Sequence, residues 1–152
     1  MTDRVDGHTS LPGLQDKEVF YKSHLSGVSV IREGEEVRVV LRGTDFFEQG
    51  RTELSPGGTD YLFEIAELMH LSQGPVEVIG FADAEEPSGV EGFSFSARRA
   101  ASVAAYFINN TGIAPGRFSV TGKGEYSPEV PATTEHADES NRRVEIVIHT
   151  GQ

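Results

Sequence analysis

Three charged residues, Asp83, Arg98 and Arg99, have side chains and a spacing that could form a ligand-binding site. Asp83 is predicted just past the end of a strand, and ligands collect at such ends when strands alternate with helices. Arg98 and Arg99 are predicted in the first turn of the next helix, where the positive end of the helix dipole disfavours cations. A guanidinium beside free helix N–H groups can bind a carboxylate, and Asp83 could take an ammonium group, so together they could hold a zwitterion. The alternative is that Asp83 and Arg99 pair with each other and bind nothing.

The elements that must position these residues follow a pattern of alternating strands and helices, in the order β-β-α-β-α-β-loop-β. Asp83 would follow a strand containing Val76 and Val78, and a polar loop over residues 84–92 would lead to a helix capped by Ser94 or Ser96. The pattern predicts an α/β (α+β) fold with a mixed sheet and helices on one face, a two-layer sandwich. The predicted core stripes of the two helices are Leu62, Ile65, Ala66 and Met69, then Ala100, Val103, Ala104 and Phe107.

The rest of the sequence contains residues that are typical of turns and helix caps. Two alternating runs around Gly34 predict a hairpin, and Ser55-Pro56 predicts the start of the first helix. Gly112 is a candidate left-handed cap at the end of the second helix. Two later strands are predicted around Phe118 and Val120 and around Val144, Ile146 and Ile148, with a polar loop over residues 125–140 between them.

The N-terminal segment, residues 1–25, is predicted to be a linker or arm, with residues 26–152 forming one domain. The first 17 residues or so are polar, and the pattern over residues 19–25 fits a short helix or a short strand equally well. Met1 is not followed by the apolar run of a signal peptide. If the domain works outside the cytoplasm, its export signal or membrane anchor would therefore lie outside this sequence.

Composition excludes several function classes. The 24 acidic and 13 basic side chains give a formal net charge of −11, which argues against binding to nucleic acid or to anionic lipid. Cysteine is absent, so the fold uses neither a disulfide nor a thiolate metal site. The sequence contains no apolar run as long as a membrane span.

The other candidate chemical sites in the sequence have simpler structural explanations. Asp83, Glu85 and Glu86 form a carboxylate cluster that could serve a glycosidase or bind a metal, but an acidic surface loop explains it more simply. The five histidines have no ligand spacing, no nucleophile motif occurs, and Gly122-x-Gly124 lacks the remaining features of a dinucleotide loop. The sequence therefore predicts no enzyme, metal site or cofactor.

Several short motifs, in order, resemble the OmpA-like C-terminal domain that binds peptidoglycan, known from OmpA and MotB. The resemblance covers residues 36–149, and the family shows a Gly-His-Thr-Asp turn, a Leu-Ser-x-x-Arg-Ala helix start, a Gly-x-Gly-Glu-x-x-Pro loop and an Asn-Arg-Arg-Val-Glu strand. The matching segments here are Gly80-Phe81-Ala82-Asp83, Phe95-Ser96-Ala97-Arg98-Arg99-Ala100, Gly122-Lys123-Gly124-Glu125 with Pro128, and Asn141-Arg142-Arg143-Val144-Glu145.

The resemblance implies a fold and a set of ligand-binding residues. It implies an OmpA-like sandwich with a β-α-β-α-β-β core, in which the family aspartate and arginine grip the zwitterionic diaminopimelate of the peptide stem. These positions match Asp83 and Arg99, with Phe81, Ala82 and Arg98 beside them in the same motifs. The final motif implies that Asn141 and an arginine, Arg143, brace the site from the last strand. The alternative for that motif is a structural clamp on the long loop.

Departures from the family pattern bear on ligand affinity. Phe81 stands where the family has histidine and Ala82 where it has threonine, so a hydroxyl hydrogen-bonding group beside Asp83 is lost. The loop between Asp83 and Arg99 is about one residue longer than in relatives. Each lost hydrogen bond to a charged ligand costs about 1.5–3 kcal/mol. These departures predict weak binding, or binding only after a rearrangement.

Within the family, the Asp-Phe-Phe-Glu-Gln-Gly segment and the aromatic Phe93 are most similar to the MotB branch of flagellar stator subunits. That resemblance implies a periplasmic domain that anchors a membrane protein complex to peptidoglycan, with a homodimer and a MotA-like membrane partner. Two alternatives stay open: a wall anchor of the outer-membrane or lipoprotein type, and a dimerisation or interaction module that has lost ligand binding. An enzyme acting on peptidoglycan would need a catalytic set that the sequence lacks.

Overall fold

The computed structural model describes residues 27–150 and the backbone of residues 17–21. One six-stranded sheet has the order β1-β2-β3-β6-β4-β5. Its strands are β1 (Lys17–Tyr21), β2 (Val28–Glu33), β3 (Glu36–Arg42), β4 (Val76–Phe81), β5 (Phe118–Gly122) and β6 (Arg143–His149). The β4–β5 pair is parallel and every other pair is antiparallel, so the sheet is mixed as predicted.

The helices are α1 (Thr59–His70), α2 (Gly89–Thr111) and the short α3 (Ala137–Asn141), with 3-10 turns at Pro56–Gly58 and Pro115–Arg117. Within the described residues, no helix is long and apolar enough to cross a bilayer. The predicted stripes of α1 and α2 are all buried in one core with residues that alternate along the strands. On β3 and β6 these residues are Val37, Val39, Leu41, Val144, Ile146 and Ile148. This period-2 burial confirms the predicted two-layer arrangement.

Most predicted turns are confirmed. Gly34 has φ 62° in the β2–β3 hairpin, and Gly112 has φ 77° as the cap of α2. Ser55 precedes the 3-10 turn rather than α1, whose own N-cap is Gly58. The predicted loop over residues 125–140 ends in α3, an additional element whose last residue, Asn141, is buried.

The N-terminal prediction needs a correction within the part that the structure describes. Residues 17–21 are not simply a linker, because they pair antiparallel with β2 and form the edge strand β1. Of the two alternatives for residues 19–25, a short helix or a short strand, the strand is the one that forms in the part that the structure describes. Residues 1–16 and 22–26 lie outside the described residues, and the domain boundary near residue 26 stays a prediction.

Two glycines let α2 lie unusually close to the sheet. Gly80 of β4 and Gly122 of β5 are register partners. A Cβ on Gly80 would collide with the backbone oxygen of Ser96, and one on Gly122 with the backbone oxygen of Phe93. This close approach fixes α2 against the carboxyl ends of β4 and β5, beside Asp83.

Candidate functional site

Asp83 lies two residues after the end of β4, just past the strand as predicted, and its side chain is completely buried. Its Oδ2 accepts hydrogen bonds from Arg142 Nη1 at 3.0 Å and from Gln49 Nε2 at 3.1 Å. Its Oδ1 accepts the backbone N–H of Glu85 at 2.8 Å. The pairing of Asp83 with Arg99, considered from the sequence, is therefore wrong, because Asp83 forms its ion pair with Arg142.

Arg99 is also fully buried, and its ion-pair partner is Glu86. The pair is bidentate, with Nη1 to Oε1 at 2.9 Å and Nη2 to Oε2 at 2.7 Å. The remaining donors reach backbone oxygens: Nε and Nη2 reach Arg51 at 3.2 and 2.6 Å, and Nη1 reaches Phe81 at 3.1 Å. All five guanidinium N–H groups thus have acceptors.

Two aromatic rings complete the surroundings of Arg99. Its guanidinium carbon lies 5.0 Å from the centre of the Phe47 ring and 4.7 Å from that of Phe95. Rings at this range attract a cation and keep water away from it. A carboxylate held in these surroundings is bound more tightly than at an exposed arginine, because the low local dielectric strengthens the interaction.

The helix that carries Arg99 begins earlier than predicted. Helix α2 starts at Gly89 with Ser88 as N-cap, so Arg98 and Arg99 lie in its interior and the first-turn dipole argument is wrong. The glycine at position 92 argued against helix there, but a Cβ on Gly92 would collide with the backbone oxygen of Pro87, so packing requires glycine.

Ser96, one of the two residues predicted to cap α2, instead joins the helix to the loop after β5. The one proton of its hydroxyl is shared between the backbone oxygens of Gly92 at 2.8 Å and Phe93 at 3.1 Å, and its oxygen accepts the N–H of Gly124 at 2.8 Å. The hydroxyl therefore ties the Gly122-x-Gly124 turn to α2, which supports the structural interpretation of that turn.

Glu86 links the Asp83 and Arg99 halves of the site. Besides Arg99, its Oε1 accepts the N–H of Asp83 at 3.0 Å and its Oε2 accepts the N–H of Gly50 at 2.7 Å. Burial by itself raises the pKa of Glu86, but the hydrogen bond and charge of Arg99, with the two backbone N–H groups, outweigh it and leave the pKa below its ordinary value. The carboxyl is therefore ionised at neutral pH, which does not suit the glycosidase acid considered for this cluster, since that role needs a raised pKa.

The three polar residues of the final motif, Asn141, Arg142 and Arg143, make different contacts. Arg142 reaches Asp83 and also donates to Phe47 O at 2.9 Å and Thr44 Oγ1 at 3.1 Å. Arg143, the arginine predicted to brace the site, instead donates to Glu145 and to the backbone oxygens of Asn141 and Ser127. Its guanidinium carbon lies 3.7 Å from the centre of the Phe81 ring.

Asn141 acts as the clamp considered in the alternative interpretation. Its Oδ1 accepts the N–H groups of Glu129 and Val130 at 2.7 and 2.9 Å, and its Nδ2 donates to Val130 O at 2.9 Å. Asn141 and Arg143 thus both hold the loop over residues 127–130, without a direct bond to Asp83 or Arg99.

The remaining predicted site residues take supporting or outward positions. Phe81 and Ala82 are buried, and their backbone groups contact Arg99 and Gly124, respectively. Arg98 is exposed, although Arg99 next to it in α2 is buried.

Sequence reasoning missed Glu86 and Gln49 as members of the site and did not choose Arg142. The signal that could have revealed Glu86 was the need for a counter-charge: a buried arginine requires an anion, and the polar loop beside Asp83 supplies one. The two buried ion pairs of the site, Asp83 with Arg142 and Glu86 with Arg99, are each neutral.

The sequence of this chain is similar to those of known proteins. The family model described as the OmpA family matches residues 46–143, which include the Asp83–Arg142 and Glu86–Arg99 pairs. An outer membrane protein of Gluconacetobacter diazotrophicus is 33% identical over 110 residues, and the match covers 68% of this chain and 29% of that protein. The probable lipoprotein YiaD of Escherichia coli is 30% identical over 136 residues, with 89% of this chain and 61% of that protein covered. The chain therefore spans only part of the length of these relatives.

Solved structures show the same fold. The cell wall anchor of the T6SS from Pseudomonas aeruginosa has a TM-score of 0.72 at 26% identity, with 82% of this chain and 88% of that chain covered. A putative MotB-like protein from Desulfovibrio vulgaris has a TM-score of 0.68 at 27% identity, with 82% of each chain covered. The periplasmic domain of Helicobacter pylori MotB has a TM-score of 0.75 at 19% identity, with 90% of this chain and 88% of that chain covered. On the family match, its extent and this fold, the chain belongs to the OmpA family.

Proposed function

We propose that this domain binds peptidoglycan non-covalently, through a zwitterionic diamino acid of the peptide stem, and thereby anchors a larger assembly to the cell wall. The observation that carries the proposal is the fork of Arg99, its Nη1 and Nη2 groups, which holds the carboxylate of Glu86 by bonds of 2.9 and 2.7 Å next to the acidic Asp83. The same carboxylate accepts the N–H of Asp83 at 3.0 Å. A carboxylate bound at Arg99 thus lies directly beside an acidic residue that could meet an ammonium group.

Membership of the OmpA family supports the proposal, and so does the likeness to a cell wall anchor at 26% identity. The proposed location is the periplasm, with the membrane anchor supplied by another part of the protein. The net charge of −11 disfavours nucleic acid as the partner.

The test is co-sedimentation with purified peptidoglycan that contains diaminopimelate. Because Asp83 and Arg99 are buried in ion pairs, truncation to alanine would also destabilise the domain, so Asp83→Asn and Arg99→Lys are the better variants. We expect the wild type to pellet and both variants to stay in the supernatant while their circular dichroism remains native.

A matched control separates lost binding from lost stability. Ile148→Ala removes a buried side chain at the far end of β6 from the site and costs about 2–5 kcal/mol of stability. This variant should still pellet while it remains folded. If the wild type stays in the supernatant over a wide range of wall concentrations, the wall-binding proposal fails and the interaction-module alternative is favoured.

The larger protein to which the domain belongs is a second part of the proposal. We infer a MotB-like stator subunit, with a homodimer and a MotA-like partner, and the MotB-like neighbour at 27% identity supports this branch. The outer membrane protein and the lipoprotein among the relatives favour the alternative, a wall anchor of the outer envelope. A chimera that carries this domain in place of a MotB periplasmic domain should restore swimming in a strain lacking the stator. Normal expression without swimming would favour the outer-envelope alternative.

A further inference from the structure

We propose that Glu86 is an internal competitor for the ligand: the carboxylate of the wall peptide must displace the Glu86 carboxylate from Arg99 before it can bind. This inference rests on the proposed function, whose ligand carboxylate would use the same guanidinium. Glu86 would thus set the affinity of the site and hold it closed when no ligand is present.

The position of Glu86 is that of a bound carboxylate ligand. Its two oxygens take the parallel Nη1 and Nη2 bonds of Arg99 and two further N–H bonds, from Gly50 and Asp83. No donor of the Arg99 fork is left for a second carboxylate, because Arg51 and Phe81 take the others. A ligand can therefore enter only by exchange with Glu86.

Displacement of the segment that carries Glu86 would expose little apolar surface. Glu86 is the single buried residue of the loop over residues 84–88, and its neighbours Glu85 and Pro87 are exposed. Its carboxylate is thus the one buried side chain that attaches this loop, beside backbone bonds of residues 85 and 86 to Asp83. Release of Glu86 would bring a charged side chain into water, where it is well solvated, whereas Arg99 would stay buried and require a new anion. Because Arg99 needs a replacement anion, exchange of Glu86 for a ligand carboxylate is favoured over opening of the loop without a ligand.

The competition lowers the apparent affinity by the fraction of molecules whose site is open. Opening leaves Arg99 without an anion, so the open state is rare, and each tenfold fall in its population weakens binding tenfold. The first experiment is isothermal titration of meso-diaminopimelate into the wild type, Glu86→Ala and Glu85→Ala. We expect Glu86→Ala to bind about tenfold more tightly or better, and Glu85→Ala to bind like the wild type. Equal or weaker binding by a folded Glu86→Ala domain would overturn the proposal.

A second experiment does not depend on the identity of the wall ligand. Acetate should raise the melting temperature of Glu86→Ala in a saturable way, relative to chloride at equal ionic strength, because it refills the Arg99 fork. The wild type and Glu85→Ala should not respond. Absence of a response in Glu86→Ala would refute the competitor role. An acetate response without binding of diaminopimelate or peptidoglycan by any variant would instead refute the proposed function alone.

A third measurement uses the wild type, in case Glu86→Ala does not fold. The amide protons of Gly50 and Asp83 donate to Glu86, so their NMR signals report its departure. Titration with meso-diaminopimelate should shift both signals together with those of residues 84–88. If ligand binds, as judged by other shifts, while these two amides stay unchanged, Glu86 is not displaced and the proposal is wrong.

Discussion

The Arg99–Glu86 ion pair should be strongly coupled in stability, and a double-mutant cycle can measure this. Arg99→Met leaves Glu86 buried with only the N–H groups of Gly50 and Asp83, and Glu86→Gln leaves Arg99 buried without an anion. Breaking a buried pair from either side costs about 3–5 kcal/mol, because it leaves one charge uncompensated.

The double variant removes both charges, so its cost is set mainly by the carbonyl groups of Arg51 and Phe81 that lose their donor. An unsatisfied buried carbonyl costs about 1–3 kcal/mol. The double variant should therefore be about as stable as either single variant, which gives a coupling energy of about 3–5 kcal/mol.

Urea unfolding followed by far-UV circular dichroism is a suitable assay, because the chain has no tryptophan. The exposed Arg51–Glu53 pair, with an N–O distance of 3.5 Å, provides the control. Its coupling should be at most about 1 kcal/mol, since solvent screens such pairs. A coupling for Arg99 and Glu86 that does not exceed the control would refute the argument that burial makes this pair interdependent.

Three further predictions concern pH, the loop clamp and the close contact of α2 with the sheet. Because the folded-state pKa of Glu86 is lowered, its contribution to stability is present above its ordinary value of 4.5 and is lost as the pH falls through the lowered value. Urea midpoints measured between pH 6 and about pH 3 should therefore drop less steeply for Glu86→Gln than for the wild type, and parallel slopes would contradict this. Asn141→Ala removes three hydrogen bonds to residues 129 and 130, so it should lower stability by about 1–3 kcal/mol and speed proteolytic cleavage within residues 125–135, whereas an unchanged cleavage rate would argue against the clamp. Gly122→Ala drives a Cβ into the backbone of α2 and should lower the melting temperature by several degrees, while Gly116→Ala, with open space around its Cβ, should change it little.

Sequence periodicity was sufficient for the elements that depend on local pattern. The alternation of Val37, Val39 and Leu41 and the stripe of α2 identify the faces that must be buried, because only one face of each element is apolar. Turn glycines such as Gly34 and Gly112 were recognisable, since their positive φ favours glycine over other residues. The position of Asp83 followed from the end of β4 for the same local reason.

The boundaries that failed are those where packing overrides local preference. Ser96 resembles a helix cap, yet it lies inside α2, where its hydroxyl bonds back to the preceding turn and holds Gly124. Gly92 resembles a loop residue, but the close contact with Pro87 requires it within the helix. Local propensity is a weak preference, and tertiary contacts of this kind outweigh it.

Only the tertiary structure decided how the charges pair. The sequence required buried arginines to have anions, but Arg142 meets Asp83 across 59 positions and Arg99 meets Glu86 across 13. Successive residues at a strand start point in different directions, so Arg142 enters the site while Arg143 covers Phe81. The sequence by itself determined that Asp83 and Arg99 belong to one region and which family pattern they follow. The fold decided that a loop carboxylate already occupies Arg99, because pairing of buried charges depends on which segments pack together in space and not on their separation along the chain.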